Sequence, residues 1–395
     1  MSRIVHINSF ATSGCVALIA RAIVTEAARR GYENVFAFGR GDSPDCCKSI
    51  RVGGDMDFYG HVFESRLFDD QGKGSRRSTR HFIEQLNELN PDAVHLHNIH
   101  GSYLNYRLLF DWLARSRVKV IWTLHDCWAF TGHCAYYDYV SCSKWKSGCK
   151  SCPRTGDYPK CWLIDRSESN YRDKRSAFTS VEPKRMHLVT PSKWLAREVS
   201  SSFLKAYPVS VIPNGIDFEP SDNGVRKRDG KVRLLAVANK WHDIKGLLDL
   251  RELSVSLDYD KYSLTLVGSI SNRQKKGFAS QVHFVGAVTG RQQMANLYAE
   301  SDIFLNLTHE DNFPTVNIEA LRSGLPVISY GVGGSGEAMD DQTGRIVHNV
   351  LEVGSALDSL APSDNLRALC VERSMRYTAY ACADSYCSLY DAMVG

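Results

Sequence analysis

Two carboxylates flank a proline-bearing loop and a predicted helix start in the stretch EDNFPTVNIEALRSGLPVISYGVGGSG, from Glu310 to Gly336. Asp311 lies in the loop, and Glu319 follows inside the helix after seven intervening residues. Backbone N–H groups at a helix start attract anions, and a carboxylate one to two turns further on accepts hydrogen bonds from sugar hydroxyls. A nucleotide-sugar presents both kinds of group, so this stretch predicts a nucleotide-sugar site.

Two lysines follow a predicted strand in the segment VANKWHDIKG. Lys240 and Lys245 are five residues apart, and two cations there can hold a diphosphate and stabilise it as a leaving group. Lysines are common on protein surfaces, so the pair alone is weak evidence. Together with Asp311 and Glu319 it predicts a donor site.

Polar side chains also follow two predicted strands in the first half of the chain: His97, His100, His125 and Asp126. In parallel α/β sheets, ligands bind at the carboxyl ends of the strands. Each of these residues alone is more often a structural histidine or a capping aspartate. Four of them together favour a cleft.

Short apolar strands alternate with helical patterns along the whole chain, which indicates parallel α/β sheets. A length of 395 residues suits two domains better than one. The pattern restarts at Val209, shortly before the polar stretch SDNGVRKRDGK. We predict an N-terminal Rossmann-like domain at 1–208, a second at 209–370, and a C-terminal helix at 371–395 that packs on the first domain, with the ligand cleft between the domains.

The composition is that of a folded protein, with 43% hydrophobic and 23% charged residues and a formal net charge of +4. The sequence shows no bilayer-spanning apolar run and no secretory signal pattern, so we expect a cytoplasmic protein. The mild positive charge alone favours neither nucleic acid nor membrane. Two basic clusters can face phosphates or anionic lipid, although solvated surface is the commoner reading: Arg76, Arg77 and Arg80, and Lys144, Lys146 and Lys150.

Six of the twelve cysteines fall between Cys127 and Cys161, in a predicted insertion at about 127–161. Four have a spacing that suits tetrahedral zinc, although only the last two form a CxxC pair: Cys134, Cys142, Cys149 and Cys152. Possible substitutes are His133, Cys127 and Cys161. Free buried thiols and disulfides are the alternatives, and a reducing compartment disfavours the latter. We predict a structural zinc.

The combination of these motifs resembles the retaining glycosyltransferases of family four, which have the GT-B fold of two facing Rossmann-like domains. The segments HLHNIHGSYLN, TLHDCWAFTGHCAYY and CSKWKSGCKSCP resemble the bacterial members that build colanic acid and O-antigen. The family's Arg and Lys beside the donor diphosphate correspond to Lys240 and Lys245. Its two glutamates correspond to Asp311 and Glu319, so Asp replaces the usual first Glu; the adjacent Glu310 is a possible substitute.

The resemblance also implies roles for other residues. It places Glu319 on the nucleotide ribose, His125 under the donor sugar, and Asp126 near the acceptor or as a support of its loop. Gly14, in the loop Thr12-Ser13-Gly14, corresponds to the family's glycine-containing loop near the donor phosphates. The remaining expected donor contacts lie around the base and at the helix start: Phe284, Gly286, Tyr298, Asn312, Phe313, Pro314 and Thr315.

The implied activity is that of a retaining hexosyltransferase without a catalytic metal. It moves a sugar from a UDP- or GDP-linked donor to a glycan acceptor on polyprenyl diphosphate, at the inner face of the cytoplasmic membrane, in surface polysaccharide biosynthesis. An epimerase or a phosphorylase of the same fold is disfavoured because their patterns are not evident. The other alternative is a non-catalytic or divergent sugar-nucleotide-binding protein, with Asp311 as a sign of decay.

Overall fold

The computed structural model describes residues 2–221 and 230–395, so most of the polar stretch after Pro220 lies outside the described residues. The chain divides into two compact units. Unit 1 comprises Met1–Gly215 and Ala379–Gly395, and unit 2 comprises Ile216–Thr378. The sequence analysis places the corresponding boundaries a few residues earlier, after 208 and after 370.

Unit 1 contains a seven-stranded parallel sheet in the order β3-β2-β1-β4-β5-β6-β7. The inner strands are buried along most of their length, as expected where helices cover both faces. The restart of the pattern at Val209 belongs to this sheet, because β7 pairs with β6. The elements are β1 Arg3–Phe10, α1 Cys15–Arg29, β2 Glu33–Arg40, β3 Lys48–Arg51, α2 Asp55–Phe68, α3 Arg76–Leu89, β4 Ala93–Leu96, α4 Tyr106–Arg115, β5 Lys119–Thr123, α5 Ser167–Phe178, β6 Met186–Thr190, α6 Lys193–Ser200 and β7 Val209–Val211.

Unit 2 contains a six-stranded parallel sheet in the order β10-β9-β8-β11-β12-β13. In this unit too, apolar side chains pack against helices to form the core. The elements are β8 Val232–Lys240, α7 Leu247–Ser256, β9 Tyr262–Ser269, α8 Asn272–Lys275, β10 His283–Val285, α9 Arg291–Ala299, β11 Ile303–Asn306, α10 Thr315–Arg322, β12 Val327–Tyr330, β13 Gly344–Val347, α11 Glu352–Asp358 and α12 Asp364–Ser374.

The last helix, α13 (Ala379–Val394), packs on α1 in unit 1. Two tyrosines attach it to the sheet: the Tyr386 hydroxyl lies 2.9 Å from Thr123 Oγ1, and the Tyr390 hydroxyl lies 2.5 Å from His95 Nδ1. Thr378 is extended and pairs with Ile216, so α12 and α13 are separate helices. The structure confirms the predicted α/β class with two parallel-sheet, Rossmann-like domains.

None of the helices within residues 2–221 and 230–395 combines the length and apolar character that crossing a membrane requires.

Buried histidines line one region of the first sheet. His6, His95 and His97 are fully or almost fully buried, and the His97 and His125 rings are stacked with centroids 5.6 Å apart. Burial lowers the pKa of His6 and of His125 to about 4, and it lowers the pKa of His95 and His97 well below 6.5. These imidazoles are therefore neutral in the folded protein at pH 7.

Stability should therefore fall as the pH drops from about 6.5 towards 4. In this window the unfolded chain binds protons that the folded chain excludes, and for His6 alone this costs about 1–2 kcal/mol of stability between pH 7 and pH 5. Denaturant unfolding at a series of pH values measures the slope. His6→Asn should flatten it, while His283→Gln, at an exposed site, should not. A slope near zero in the wild-type protein contradicts this prediction.

Candidate active site

The predicted donor residues of unit 2 gather at one edge of its sheet. Lys240 ends β8, Gly286 follows β10, the segment 307–314 follows β11, and the glycine-rich segment 331–336 follows β12. All these strands are parallel, so their carboxyl ends lie at the same edge. This is where ligands bind in sheets of this kind.

An ion pair joins the two predicted motifs at this edge. Lys245 Nζ lies 2.8 Å from Asp311 Oδ2, and both side chains are partly exposed. A partly exposed pair of this kind contributes little to stability. The pair matters for its position, because it places a cation and a carboxylate side by side at the carboxyl edge of the sheet.

Close backbone contacts fix the loop that bears Lys245. Gly246 has a φ of +77°, and a Cβ there would lie 2.2 Å from the Leu307 carbonyl oxygen, so no other residue fits. The neighbouring Ile244 carbonyl accepts hydrogen bonds from His309 N at 2.8 Å and from Thr308 Oγ1 at 3.1 Å. The loop after β8 is thereby held against the segment after β11.

A second glycine supports Asp311 from the other side. Gly333 has a φ of +56°, and a Cβ there would lie 2.1 Å from the Asp311 carbonyl oxygen. That carbonyl also accepts a hydrogen bond of 3.2 Å from Gly334 N. Within the stretch from Glu310 to Gly336, Gly333 and Gly334 therefore pack against the backbone of Asp311.

A network that the sequence analysis missed steadies the same segment. Asp249 Oδ2 lies 2.8 Å from His309 Nε2, and Asp249 Oδ1 accepts a 2.7 Å hydrogen bond from the Tyr330 hydroxyl. Burial raises the pKa of Asp249, but these two hydrogen bonds outweigh it and hold the pKa below its usual value. The available signal was His309, a polar residue directly beside Glu310 and Asp311; the three partners are too far apart in sequence to be paired by pattern.

Glu319 lies on α10, where its Oε2 accepts a 3.0 Å hydrogen bond from the Tyr298 hydroxyl of α9. Burial raises the pKa of Glu319 to about 7, although this hydrogen bond lowers it. The structure therefore unites two of the predicted donor residues, Tyr298 and Glu319. A carboxyl group with this pKa changes its charge at neutral pH.

The other predicted residues of unit 2 differ in exposure. Lys240 and Gly286 are exposed, while Phe284 is half-buried against Phe278. Asn312, Phe313 and Pro314 are buried directly before α10, which begins at Thr315. Glu310, the possible substitute for the usual glutamate, is 4% exposed, so it does not share the position of Asp311 at the surface.

Unit 1 brings together the four polar residues predicted at its strand ends. His97 Nδ1 lies 3.3 Å from His125 Nε2, and His100 Nε2 lies 3.1 Å from Asp126 Oδ2. Burial raises the pKa of Asp126, but His100 and the backbone N–H of Trp128 outweigh this and hold the pKa below its usual value. The result is a neutral His125 beside an ionised Asp126.

Gly14 lies at the exposed start of α1 with a φ of +86°, and a Cβ there would meet no atom within 4 Å. Its backbone N–H and those of the next residues belong to the first turn of a 15-residue helix. The residue belongs to unit 1, whereas Lys240 and Lys245 belong to unit 2.

The four predicted metal ligands share one region of unit 1 but do not form a compact group. A hydrogen bond with the Cys134 thiol lowers the pKa of Cys152 to about 6, and Cys149 interacts electrostatically with Cys142 and Cys152. None of the twelve cysteines is joined to another by a disulfide. The predicted substitutes differ in environment: Cys127 and Cys161 are buried, and His133 Nδ1 lies 2.5 Å from Asp69 Oδ1.

Within the described ranges, the group of His, Cys, Asp or Glu ligand atoms found within 4.8 Å of one another is instead His6, His95 and His97. The His95 and His97 rings lie 4.0 Å apart with only 35° between their planes. Ring nitrogens bind metals in the plane of the ring, so these two histidines do not point at a common centre. This group is better explained as a polar part of the core.

Two parallel sheets with polar residues at their carboxyl edges define a Rossmann-like class of α/β protein. Residues 16–220, more than half of the chain, match the model of glycosyltransferase family 4, and residues 231–361 match that of the glycosyl transferases group 1. The chain belongs to glycosyltransferase family 4.

The chain is similar to a known protein in sequence and to solved structures in fold. The chain is 28% identical over 268 residues to the Escherichia coli protein named as the colanic acid biosynthesis glycosyl transferase WcaC; the match covers 65% of this chain and 64% of that protein. Sucrose-phosphate synthase from Thermosynechococcus elongatus matches all of this chain and 99% of its own with a TM-score of 0.74 and 15% identity. Anabaena HepE, solved with UDP-glucose, matches 99% of this chain and 100% of its own with a TM-score of 0.63 and 12% identity. The GT-B fold is thereby confirmed.

Proposed function

We propose that the protein is a glycosyltransferase that moves a sugar from a nucleoside-diphosphate-sugar to a glycan acceptor in surface polysaccharide biosynthesis. The observation on which this rests is the edge of the second sheet, where Lys245 and Asp311 form an ion pair and α10 presents Glu319. Support comes from the family, from the similarity to WcaC, and from HepE, a neighbour in fold that was solved with UDP-glucose.

In this proposal, Lys240 and Lys245 bind the donor diphosphate and Glu319 accepts hydrogen bonds from the ribose. The backbone N–H groups of Asn312, Phe313 and Thr315, at and just before the start of α10, add positive potential beside the phosphates. The base lies near Phe284, Gly286 and Tyr298, and Gly14 contributes backbone N–H groups. The two lysines and these backbone N–H groups stabilise the negative charge that develops on the diphosphate as it leaves.

We further propose that transfer retains the anomeric configuration and uses no catalytic metal. The acceptor oxygen attacks the anomeric carbon from the face that the diphosphate leaves, the carbon–oxygen bond to the diphosphate breaks, and the acceptor proton passes to the departing diphosphate. His125 hydrogen-bonds the sugar, and Asp126 supports this loop or contacts the acceptor. Asp311 faces the sugar beside Lys245, where Asp replaces the usual Glu.

The direct test is release of nucleoside diphosphate from a panel of UDP- and GDP-sugars, with and without a mixture of polyprenyl-diphosphate-linked glycans. We expect release with one donor, increased by the acceptor, and a product in which NMR shows the donor's anomeric configuration. Binding of a donor without any release would support the alternative, a sugar-nucleotide-binding protein that has lost transfer.

The acceptor in this proposal is linked to polyprenyl diphosphate, so the protein acts as a peripheral protein on the inner face of the cytoplasmic membrane. The exposed arginines Arg76, Arg77 and Arg80 of unit 1 favour this place. A lipid-linked acceptor confines the substrate to the membrane surface, where binding of the protein raises its effective concentration.

We also propose a structural zinc held by Cys134, Cys142, Cys149 and Cys152. The contact between Cys134 and Cys152 supports two of the ligands, and Cys149 and Cys142 must move towards them. Lys174 is buried nearby and donates hydrogen bonds to the Trp128 and Thr131 carbonyls. Zinc binds cysteine in its thiolate form. The positive charge of Lys174 would therefore offset part of the negative charge of the four thiolates.

Elemental analysis of untagged protein should find about one zinc per chain. The double variant Cys134→Ser/Cys152→Ser should lose the metal, whereas Cys370→Ser, at a buried cysteine of unit 2, should retain it. Protein that is folded and contains no stoichiometric zinc disproves the site.

A further inference from the structure

Helix α2 exposes large apolar side chains to solvent. Among its exposed residues are Met56, Tyr59 and Phe63, which are 87%, 68% and 62% exposed. Its most buried residues are His61 and Ser65. Positions 56, 59 and 63 have the i, i+3, i+7 spacing of one helix face, so three large apolar groups form a stripe in water.

The stripe continues into an exposed loop. Arg66 comes next on the same face, and its guanidinium lies 5.0 Å from the centre of the Trp162 ring. Trp162 N donates a hydrogen bond of 2.6 Å to the Arg66 carbonyl, which fixes the loop at the end of α2. Trp162 is 53% exposed and Leu163 is 69% exposed. We call Met56, Tyr59, Phe63, Trp162 and Leu163 the α2 patch.

Basic residues lie near the α2 patch. The start of α3 lies beside α2, because His61 Nδ1 is 2.9 Å from Ser75 Oγ. That start presents three exposed arginines for which no carboxylate of the described residues lies within 4.0 Å: Arg76, Arg77 and Arg80.

The carboxylates of α2 are fewer than the arginines on and beside this helix. Asp55 pairs with Arg51, Asp57 accepts a hydrogen bond from Gly54 N, and Glu64 lines a cavity together with Arg76. Against these three carboxylates, α2 and the segments beside it carry five arginines, so the net charge next to the patch is positive: Arg51, Arg66, Arg76, Arg77 and Arg80.

We propose that the α2 patch is the surface by which this protein binds an anionic lipid bilayer. Tyr and Trp side chains settle at the boundary between headgroups and acyl chains, Met, Phe and Leu bury below it, and neighbouring arginines attract anionic headgroups. The inference deepens the proposed function and rests on it for the need to reach a lipid-linked acceptor.

Sedimentation with vesicles tests the proposal. The wild-type protein should bind vesicles of phosphatidylglycerol and phosphatidylcholine, bind phosphatidylcholine alone more weakly, and dissociate as salt increases. The triple variant Met56→Gln/Tyr59→Gln/Phe63→Gln should bind at least about tenfold more weakly. Leu248→Gln/Val255→Gln/Tyr380→Gln removes three exposed apolar side chains from other helices and should bind like the wild type. Thermal melting verifies that both variants are folded.

Two outcomes overturn the proposal. One is equal vesicle binding by the wild type and the α2 variant. The other is a wild-type protein that is dimeric in light scattering together with an α2 variant that is monomeric. That result would assign the patch to contact with a second copy of the chain. Release of nucleoside diphosphate from detergent-dispersed acceptor is measured separately: if the wild type shows no release but still binds vesicles through the patch, the proposed function fails and the membrane surface stands.

Discussion

We expect Lys245→Ala to reduce the rate of nucleoside diphosphate release by about a hundredfold or more, with little change in melting temperature. Removal of one preorganised positive or hydrogen-bonding group that stabilises a leaving anion typically has an effect of this size. Stability should hardly change, because the pair with Asp311 is partly exposed. Steady-state kinetics with saturating donor measures the loss.

Two further variants separate charge from general disturbance. Lys245→Arg keeps the charge and should recover part of the rate. Lys276→Ala removes another lysine of unit 2, at an exposed position outside the site, and should leave the rate unchanged. A Lys245→Ala enzyme that turns over within a few-fold of the wild type would exclude Lys245 from the diphosphate site.

The second large effect is expected for Glu319→Ala, which should weaken donor binding and transfer by about tenfold to a hundredfold. A charged acceptor for ribose hydroxyls contributes about 1.5–3 kcal/mol. Calorimetric titration of the nucleoside diphosphate measures the binding component directly. Tyr298→Phe removes the hydroxyl that bonds to Glu319 but keeps the carboxyl group, so its loss should be smaller.

The pH dependence gives this prediction a second readout. The pKa of Glu319 is raised to about 7, so the carboxylate is mostly protonated at pH 6 and mostly ionised at pH 8. Donor binding should therefore strengthen between pH 6 and pH 8. The raised pKa also means that ionisation costs stability as the pH rises through 7, so Glu319→Gln should gain stability relative to the wild type at pH 8. A Glu319→Gln protein with unchanged pH dependence of binding contradicts this role.

The fold class followed from alternation alone, because buried parallel strands such as β1, β4 and β11 are short apolar runs between helical patterns. The last strand of the first sheet was harder to predict from the sequence. β7 has three residues, and its pairing with β6 depends on tertiary contact, so a pattern of apolar residues could not assign it to either sheet. The separation of α12 from α13 likewise depends on Thr378 pairing with Ile216 across the sequence.

At the donor edge, the sequence indicated residue types but not their support. Lys245 and Asp311 were predictable as a cation and a carboxylate near strand ends. Their contact depends on two glycines, Gly246 and Gly333, each of which lies against a backbone carbonyl where a Cβ would clash. Such approaches join positions far apart in the chain, and no local pattern reveals them.

The replacement of the family's usual glutamate by Asp311 remains the place where we expect the donor preference of this protein to differ. The shorter side chain is already engaged by Lys245 at 2.8 Å, and its backbone is fixed by Gly334. A carboxylate so held reaches less far than a glutamate does. We therefore expect Asp311→Glu to alter the ranking of donor sugars rather than to restore a lost activity.

A crystal structure with the bound nucleoside diphosphate would test the proposed donor site most directly. We expect the diphosphate at Lys240 and Lys245, the ribose hydroxyls on Glu319, and the start of α10 facing the phosphates. A nucleotide bound elsewhere, with Lys245 and Glu319 touching no part of it, would exclude these residues from the donor site.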